Sequence, residues 1–353
     1  MMSRPDQRLP RYLALAYALL TAYACLYPFS DWRDPGVSPF AFLTAPIPRY
    51  NTLTDLLLNV LGFLPLGFML GASLRGMTRK GIGLLLATLL CVLFSAMLES
   101  AQNYLATRVA SNIDFAANSL GGLAGALLAL RWGNLFDPDG QLSRWRQRRI
   151  LPGRIGETGL ILIGLWWLTQ LEPTSTLFGT GDLRPLFDLP APLAFSARRF
   201  VIIEALVVAT NLLALGLLVR RCMREPRGQL VMLVLLIGLA VRTLADHVFM
   251  LPPEPLQWAT PGALRGLLIG ALALIVAWRL PGWLQHSLAC LSLLLATALV
   301  NIAPDNPYEL ASMRLIHESH FLNFHGLTRL AEFLWPFLAL IYLTANAAIA
   351  NRR

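Results

Sequence analysis

The sequence predicts an all-α fold, a polytopic bundle of about ten membrane-spanning helices. Three observations predict it. Hydrophobic residues make up 56% of the 353, and charged residues only 14%, where a soluble domain carries about 25%. The apolar residues come in blocks of about 20, the length that crosses a hydrocarbon core. The basic residues gather in short loops between those blocks, on alternate sides of the set.

Taken in order, the apolar blocks place spans near 12–29, 53–71, 82–100, 113–131, 157–172, 201–219, 229–249, 262–280, 284–303 and 330–348. The first follows Arg4, Arg8 and Arg11 without a small-residue cleavage site, so it reads as a retained span rather than a signal peptide. The fifth is the weakest, being short and followed by Glu172 and Pro173. Arginine placement orients the set. Arg75, Arg79 and Lys80 follow span 2, Arg131 through Arg154 follow span 4, and Arg220, Arg221, Arg224 and Arg227 follow span 6. Arg279 and the Arg352–Arg353 tail lie on the same side. The 250–261 loop has no basic residue. This alternation places both termini in the cytoplasm of a bacterial inner membrane. The net charge of +9 is thereby explained as topology, and no nucleic-acid motif accompanies it.

Two stretches repeat. Asp55 through Gly67 matches Glu204 through Gly216, with an acid twelve residues before each glycine. Gly121-x-x-x-Gly125-Ala126-Leu127 recurs as Gly266-x-x-x-Gly270-Ala271-Leu272. The domain organisation read from this is a four-helix unit over 12–132, a basic cytoplasmic linker over 133–156 and a diverged second four-helix unit over 157–280. A two-helix appendix with a histidine-containing outer loop follows over 281–353. Units of four spans run parallel, as in some transporters.

Ionisable residues within spans are costly and mark functional candidates. The first unit gathers them at its outward end. Asp55 and Asn59 open span 2, Glu99 and Gln102 close span 3, Arg108, Asn112 and Asp114 stand before span 4, and Asn118 lies one turn inside it. Asp55/Asn59 and Asp114/Asn118 are four apart, and Glu99/Gln102 three apart, so each pair shares a helix face. Such a set can form a polar pocket for a headgroup, sugar or peptide. It can equally staple helix ends and cap span 4, where Asp114 suits a helix N-terminus.

The runs Asp55-x3-Asn59-x5-Pro65-x-Gly67, Ser95-x3-Glu99-x2-Gln102 and Arg108-x5-Asp114-x3-Asn118-x2-Gly121, with Tyr27-Pro28-Phe29 closing span 1, resemble the VanZ-like family over roughly residues 12–132. The resemblance implies a membrane protein. It also implies an effect on susceptibility to teicoplanin, a lipoglycopeptide, without remodelling of the cell-wall precursor. It carries the matched residues Asp55, Asn59, Glu99, Gln102, Arg108, Asp114 and Asn118 as the ligand-binding set. It does not explain residues 150–353.

Arg242, Asp246 and His247 of span 7 form a secondary candidate, the first two spaced to pair along one face. His317, Glu318, His320 and His325 lack the zincin pattern. With Phe321, Leu322, Phe324 and Leu327 they suit a segment lying in the interface. Cys25, Cys91, Cys222 and Cys290 form no CxxC pair, so neither a disulfide framework nor a metal site is expected. Trp166, Trp167, Trp258, Trp283 and Trp335 are expected in aromatic belts, and Pro65 is expected to kink span 2. No nucleotide or nucleophile motif occurs, so no cofactor is expected and an enzyme is disfavoured. The expected partners are membrane lipids and a lipid-linked or amphiphilic envelope ligand, with the oligomeric state open. The leading reading is a binding protein of the envelope. The alternatives are a secondary transporter or lipid flippase and, third, a membrane-embedded hydrolase or transferase using Glu99 and Asp114.

Overall fold

The computed structural model describes residues 8–305 and 325–350, except 28, 47–52, 76, 107, 138–139 and 250–254. Among these residues it has eleven α-helices and no strand beyond two isolated bridges. They are α1 (Arg8–Leu26), α2 (Leu53–Ser73), α3 (Lys80–Gln102), α4 (Asn112–Trp132), α5 (Gln141–Arg149), α6 (Arg154–Thr169), α7 (Ala197–Arg221), α8 (Gly228–Phe249), α9 (Pro261–Ala277), α10 (Gly282–Ile302) and α11 (His325–Ala350). Each expected span has a helix at its position, which bears out the polytopic helical bundle. Eight helices are long and apolar enough to cross a membrane: α1 to α4, α7, α8, α10 and α11. The other two, α6 and α9, are shorter apolar helices. At 1.5 Å per residue a 16-residue helix such as α6 covers ~24 Å of a ~30 Å core.

The chain forms two compact units, Met1–Arg148 and Arg149–Arg353. In the first, α2 and α4 make the closest pair, with α3 against α4 and α1 against α2. Two glycines of α4 allow this. A Cβ at Gly121 would stand 2.2 Å from the Val60 carbonyl oxygen, and one at Gly125 would stand 2.0 Å from that of Leu64. Small residues bring helix backbones together where lipid leaves no hydrophobic drive between helices. α2 runs unbroken through Pro65. The pyrrolidine ring removes one backbone donor, and the helix continues to Ser73.

In the second unit α7 is central, packed against α9 and α10, while α11 packs on α6 and α10. α7 is the most buried of these spans, with 14 of its 25 residues buried. Gly266 and Gly270 of α9 abut the Ala205 and Ala209 carbonyls of α7. Each glycine follows its carbonyl by 61 residues, the same register as Val60/Gly121 and Leu64/Gly125. The surroundings differ, because α7 has α10 beside it and α10 belongs to the same unit.

The end of α6 explains the weak fifth span. Residues 170–182 are non-helical yet largely buried, including Gln170, Glu172, Leu177, Phe178 and Thr180. Irregular backbone at such depth requires protein partners for its polar groups. Arg242 supplies them, donating to the carbonyls of Glu172 at 2.6 Å, Pro173 at 2.8 Å and Ser175 at 2.7 Å. Asn301 donates to the Gly181 carbonyl at 2.7 Å. Beyond the buried stretch, Arg184 joins Asp182 at 2.8 Å and Asp305 at 3.1 Å. The Asp182 hydrogen bonds raise the Arg184 guanidinium above its ordinary value, with burial opposing.

Two tryptophans depart from the belt expectation. Trp166 and Trp335 are each 1% exposed and belong to the hydrophobic core of the second unit. The Trp335 indole N–H donates to the Leu162 carbonyl at 2.8 Å, which satisfies its polar atom away from water. Trp283, 69% exposed at the start of α10, keeps the surface position. His317, Glu318, His320, Phe321, Leu322, Phe324 and the side chain of His325 lie outside the described residues.

Candidate functional site

The first unit brings one end of each of its four spanning helices together: the C-termini of α1 and α3 and the N-termini of α2 and α4. Ser111 is the N-cap of α4, and its side chain accepts from the Asp114 N–H at 3.3 Å. This is the Ser-x-x-acid pattern of a helix start. Glu99 is 3% exposed, and its carboxylate accepts from the Ser111 N–H at 2.9 Å. The end of α3 is thereby pinned to the start of α4. Asn59, on α2, donates to the Asp114 carboxylate at 2.8 Å. Asn118, one turn deeper on α4, donates to the Ser95 hydroxyl at 3.1 Å.

The remaining members tie this cluster to α1. Gln102 donates to the Cys25 carbonyl at 3.1 Å. Arg108 donates to the carbonyls of Ala24 and Tyr27 at 3.2 and 3.3 Å, capping the C-terminal end of α1. Burial lowers the Arg108 guanidinium below its ordinary value. Of the seven sequence candidates, six thus make hydrogen bonds at this end of the unit. The seventh, Asp55, lies on α2, and its side chain is outside the described residues.

Two acceptors in this network are left over. The amide oxygens of Asn112 and Asn118 are buried without a hydrogen-bond partner among the described residues. The Asn112 amide nitrogen is used, donating to the Ala45 carbonyl at 2.7 Å. Ser111 does not stand among the sequence candidates, although the cap pattern was an available signal for it, and Asn112 belongs to the polar loop before span 4 but not to the seven matched residues.

The secondary candidate resolves differently. Arg242 and Asp246 are buried and 3.0 Å apart, nitrogen to oxygen. His247 is exposed, so it does not join them. A one-residue step on a helix turns the side chain about 100° away from its neighbour. The donors of Arg242 go to the 172–175 backbone, and Asp246 accepts from the Trp258 N–H at 3.1 Å. That bond spans twelve residues, as does Glu99 to Ser111, and each pins a helix end to the approach of the next helix. Glu204 of α7 accepts from the N-cap Thr260 of α9 at 2.6 Å, as Asp114 receives Asn59 at the start of α4.

Glu172 and Glu332 are the other buried acids among the described residues of this unit. Glu172 accepts from Thr174 at 2.6 Å and Thr328 at 2.9 Å. Glu332 stands in α11, where its backbone carbonyl receives the Gly181 N–H at 2.9 Å. A lone acid within an apolar span was the signal for Glu332. No group of three metal-ligating side chains occurs among the described residues.

Residues 13–134 match the VanZ/LLP1 family. The segment contains every residue of the network just described and ends before the second unit. No curated protein matches the chain, and no solved structure does.

Proposed function

We propose that this VanZ-like membrane protein binds the headgroup of an amphiphile or envelope intermediate at the polar end of its first unit. The observation that carries the reading is that the buried amide oxygens of Asn112 and Asn118 have no hydrogen-bond partner among the described residues, on the first turns of α4, which also carry Asp114. A buried acceptor without a partner costs about 1–3 kcal/mol, and a ligand presenting hydroxyl or ammonium donors removes that cost. The complementary chemistry is therefore a sugar or amine headgroup rather than a bare anion. Asp55 belongs to this set by its place on α2. In this reading the chain sits in the bacterial inner membrane with both termini cytoplasmic, and the site faces outward. Occupancy there alters the susceptibility of the surface to lipoglycopeptides of the teicoplanin type.

The test is growth inhibition of a susceptible Gram-positive host expressing the chain, comparing teicoplanin with vancomycin. Wild type is expected to protect against teicoplanin alone. Glu99→Ala and Arg108→Ala, at equal membrane levels, are expected to abolish that protection. Protection that survives both substitutions removes the site from the reading. No protection by wild type confines the family likeness to the fold.

One observation favours a second reading, a secondary transporter or flippase. Buried Glu172 and Glu332 stand beside irregular buried backbone, the setting in which transporters hold substrates and coupling ions. Proton-dependent uptake into proteoliposomes, lost in Glu332→Gln, would support it. Flat traces across a lipid and sugar panel would set it aside. The shared 61-residue register and the two twelve-residue pins also support reading the second unit as a diverged copy of the first.

A further inference from the structure

The opposite end of the first unit carries a different chemistry. A cavity of about 230 Å³ lies where the C-termini of α2 and α4 meet the N-terminus of α3. Arg75, Thr78 and Lys80 line it on the polar side, and Leu74, Leu84 and Leu130 form its apolar wall. The volume is large beside the ~10–15 Å³ that admits one water. Two cations, Arg75 and Lys80, and one acid, Asp137, line the cavity. Arg75 reaches the Ala129 and Leu130 carbonyls at 3.4 and 3.5 Å, at the end of α4. Its Nε is buried with no hydrogen-bond partner among the described residues. Asp137 forms an ion pair with Arg75 at 3.8 Å.

Two further features add positive potential. α3 starts at Lys80 after an Arg79 N-cap that makes no side-chain cap bond, so its first N–H groups lack a capping acceptor. Arg11 of α1 approaches the same turn at Met77.

From the Arg75 guanidinium and the Lys80 ammonium lining one cavity at the start of α3, we infer that this end of the first unit binds an anionic phosphate group. Guanidinium and ammonium groups at an uncapped helix start are matched by phosphate oxygens. The leucine wall offers a place for the adjoining glycerol and acyl carbons, which favours an anionic phospholipid over free phosphate as the source. Basic pockets between spanning helices recognise such headgroups.

The experiment uses the full chain in nanodiscs. Thermal unfolding is followed in phosphatidylcholine alone, with increasing phosphatidylglycerol, and with inorganic phosphate added to the phosphatidylcholine discs. Phosphatidylglycerol is expected to raise the unfolding temperature of wild type. The double variant Arg75→Gln/Lys80→Gln is expected to need roughly fivefold more of it per charge removed. The control Arg144→Gln/Arg146→Gln, which removes two charges from α5, is expected to respond as wild type does. Lys80→Gln alone, at an exposed helix start, gives the reading if the double variant does not fold. A shift with inorganic phosphate that the pocket variants lose assigns the site to free phosphate instead of lipid. Equal responses in pocket and control variants overturn the inference, as does a wild type indifferent to both probes.

Discussion

At the scale of the residue, the half-buried Arg108 and the buried Arg242 show how one device serves different ends. Arg108 and Arg242 each donate to backbone carbonyls at or just after the end of an earlier helix, α1 in one unit and α6 in the other. Arg242 also balances Asp246. Removing one partner of a buried pair leaves an uncompensated charge, which costs about 3–5 kcal/mol. Arg242→Met is therefore expected to destabilise the protein by about that amount, and Arg242→Met/Asp246→Leu to recover part of the loss. Thermal or denaturant unfolding in detergent checks this, and an additive double variant would show that the pair is not coupled. The loop carbonyls remain unsatisfied in both variants, so full recovery is not expected. Spacing alone made the Arg242–Asp246 pair legible in the sequence. The use of Arg242 on the 172–175 backbone was not legible, because it joins residues about 70 apart. The same holds for Asn59 and Asp114, which meet across 55 residues. Sequence grouped them by depth in the membrane, and only the fold supplied the contact.

At the scale of the element, helix pairing through glycine decides how closely the polar ends can converge. Gly125 packs directly on the α2 backbone, whereas a Cβ at Gly62 would meet nothing within 4 Å. Gly125→Leu is expected to part α2 from α4 and lower stability by about 1–3 kcal/mol or more, the usual cost of overpacking. Gly62→Ala is expected to be neutral or stabilising by up to about 1 kcal/mol, since alanine favours helix. Unfolding midpoints of the two variants in one detergent decide the matter, and equal effects would count against the pairing. Helix positions were readable from hydropathy because a span is a long, uniform signal. The end of α6 was not, because burial of residues 170–182 depends on distant Arg242 and Asn301. The burial of Trp166 and Trp335 was hidden for the same reason: aromatic belts and cores use the same residue, and only packing separates them.

At the scale of the whole molecule, the two short helices test the topology. If all ten apolar helices cross, the basic loops after α2, α4, α7 and α9 share one side, and both termini lie there. If α6 did not cross, the direction of α7 would reverse, and the Arg220–Arg227 cluster would face outward against the charge rule. Two features argue that α6 crosses despite its length. Its chain continues as buried backbone through residue 181, and that backbone is satisfied by side chains of α8 and α10. A short helix extended by protein-covered irregular backbone can still traverse the core. Reporter fusions are therefore expected to read cytoplasmic after residues 79, 146, 224 and 279, and external after residues 108, 190 and 258. A cytoplasmic signal at 190 with an external one at 224 would show that α6 turns back. The chain would then lose the alternation on which the outward placement of the Glu99–Asp114 cluster in the proposed function partly depends. Agreement at all seven positions would fix that cluster on the face where lipoglycopeptides act, and the basic cavity by Arg75 on the other.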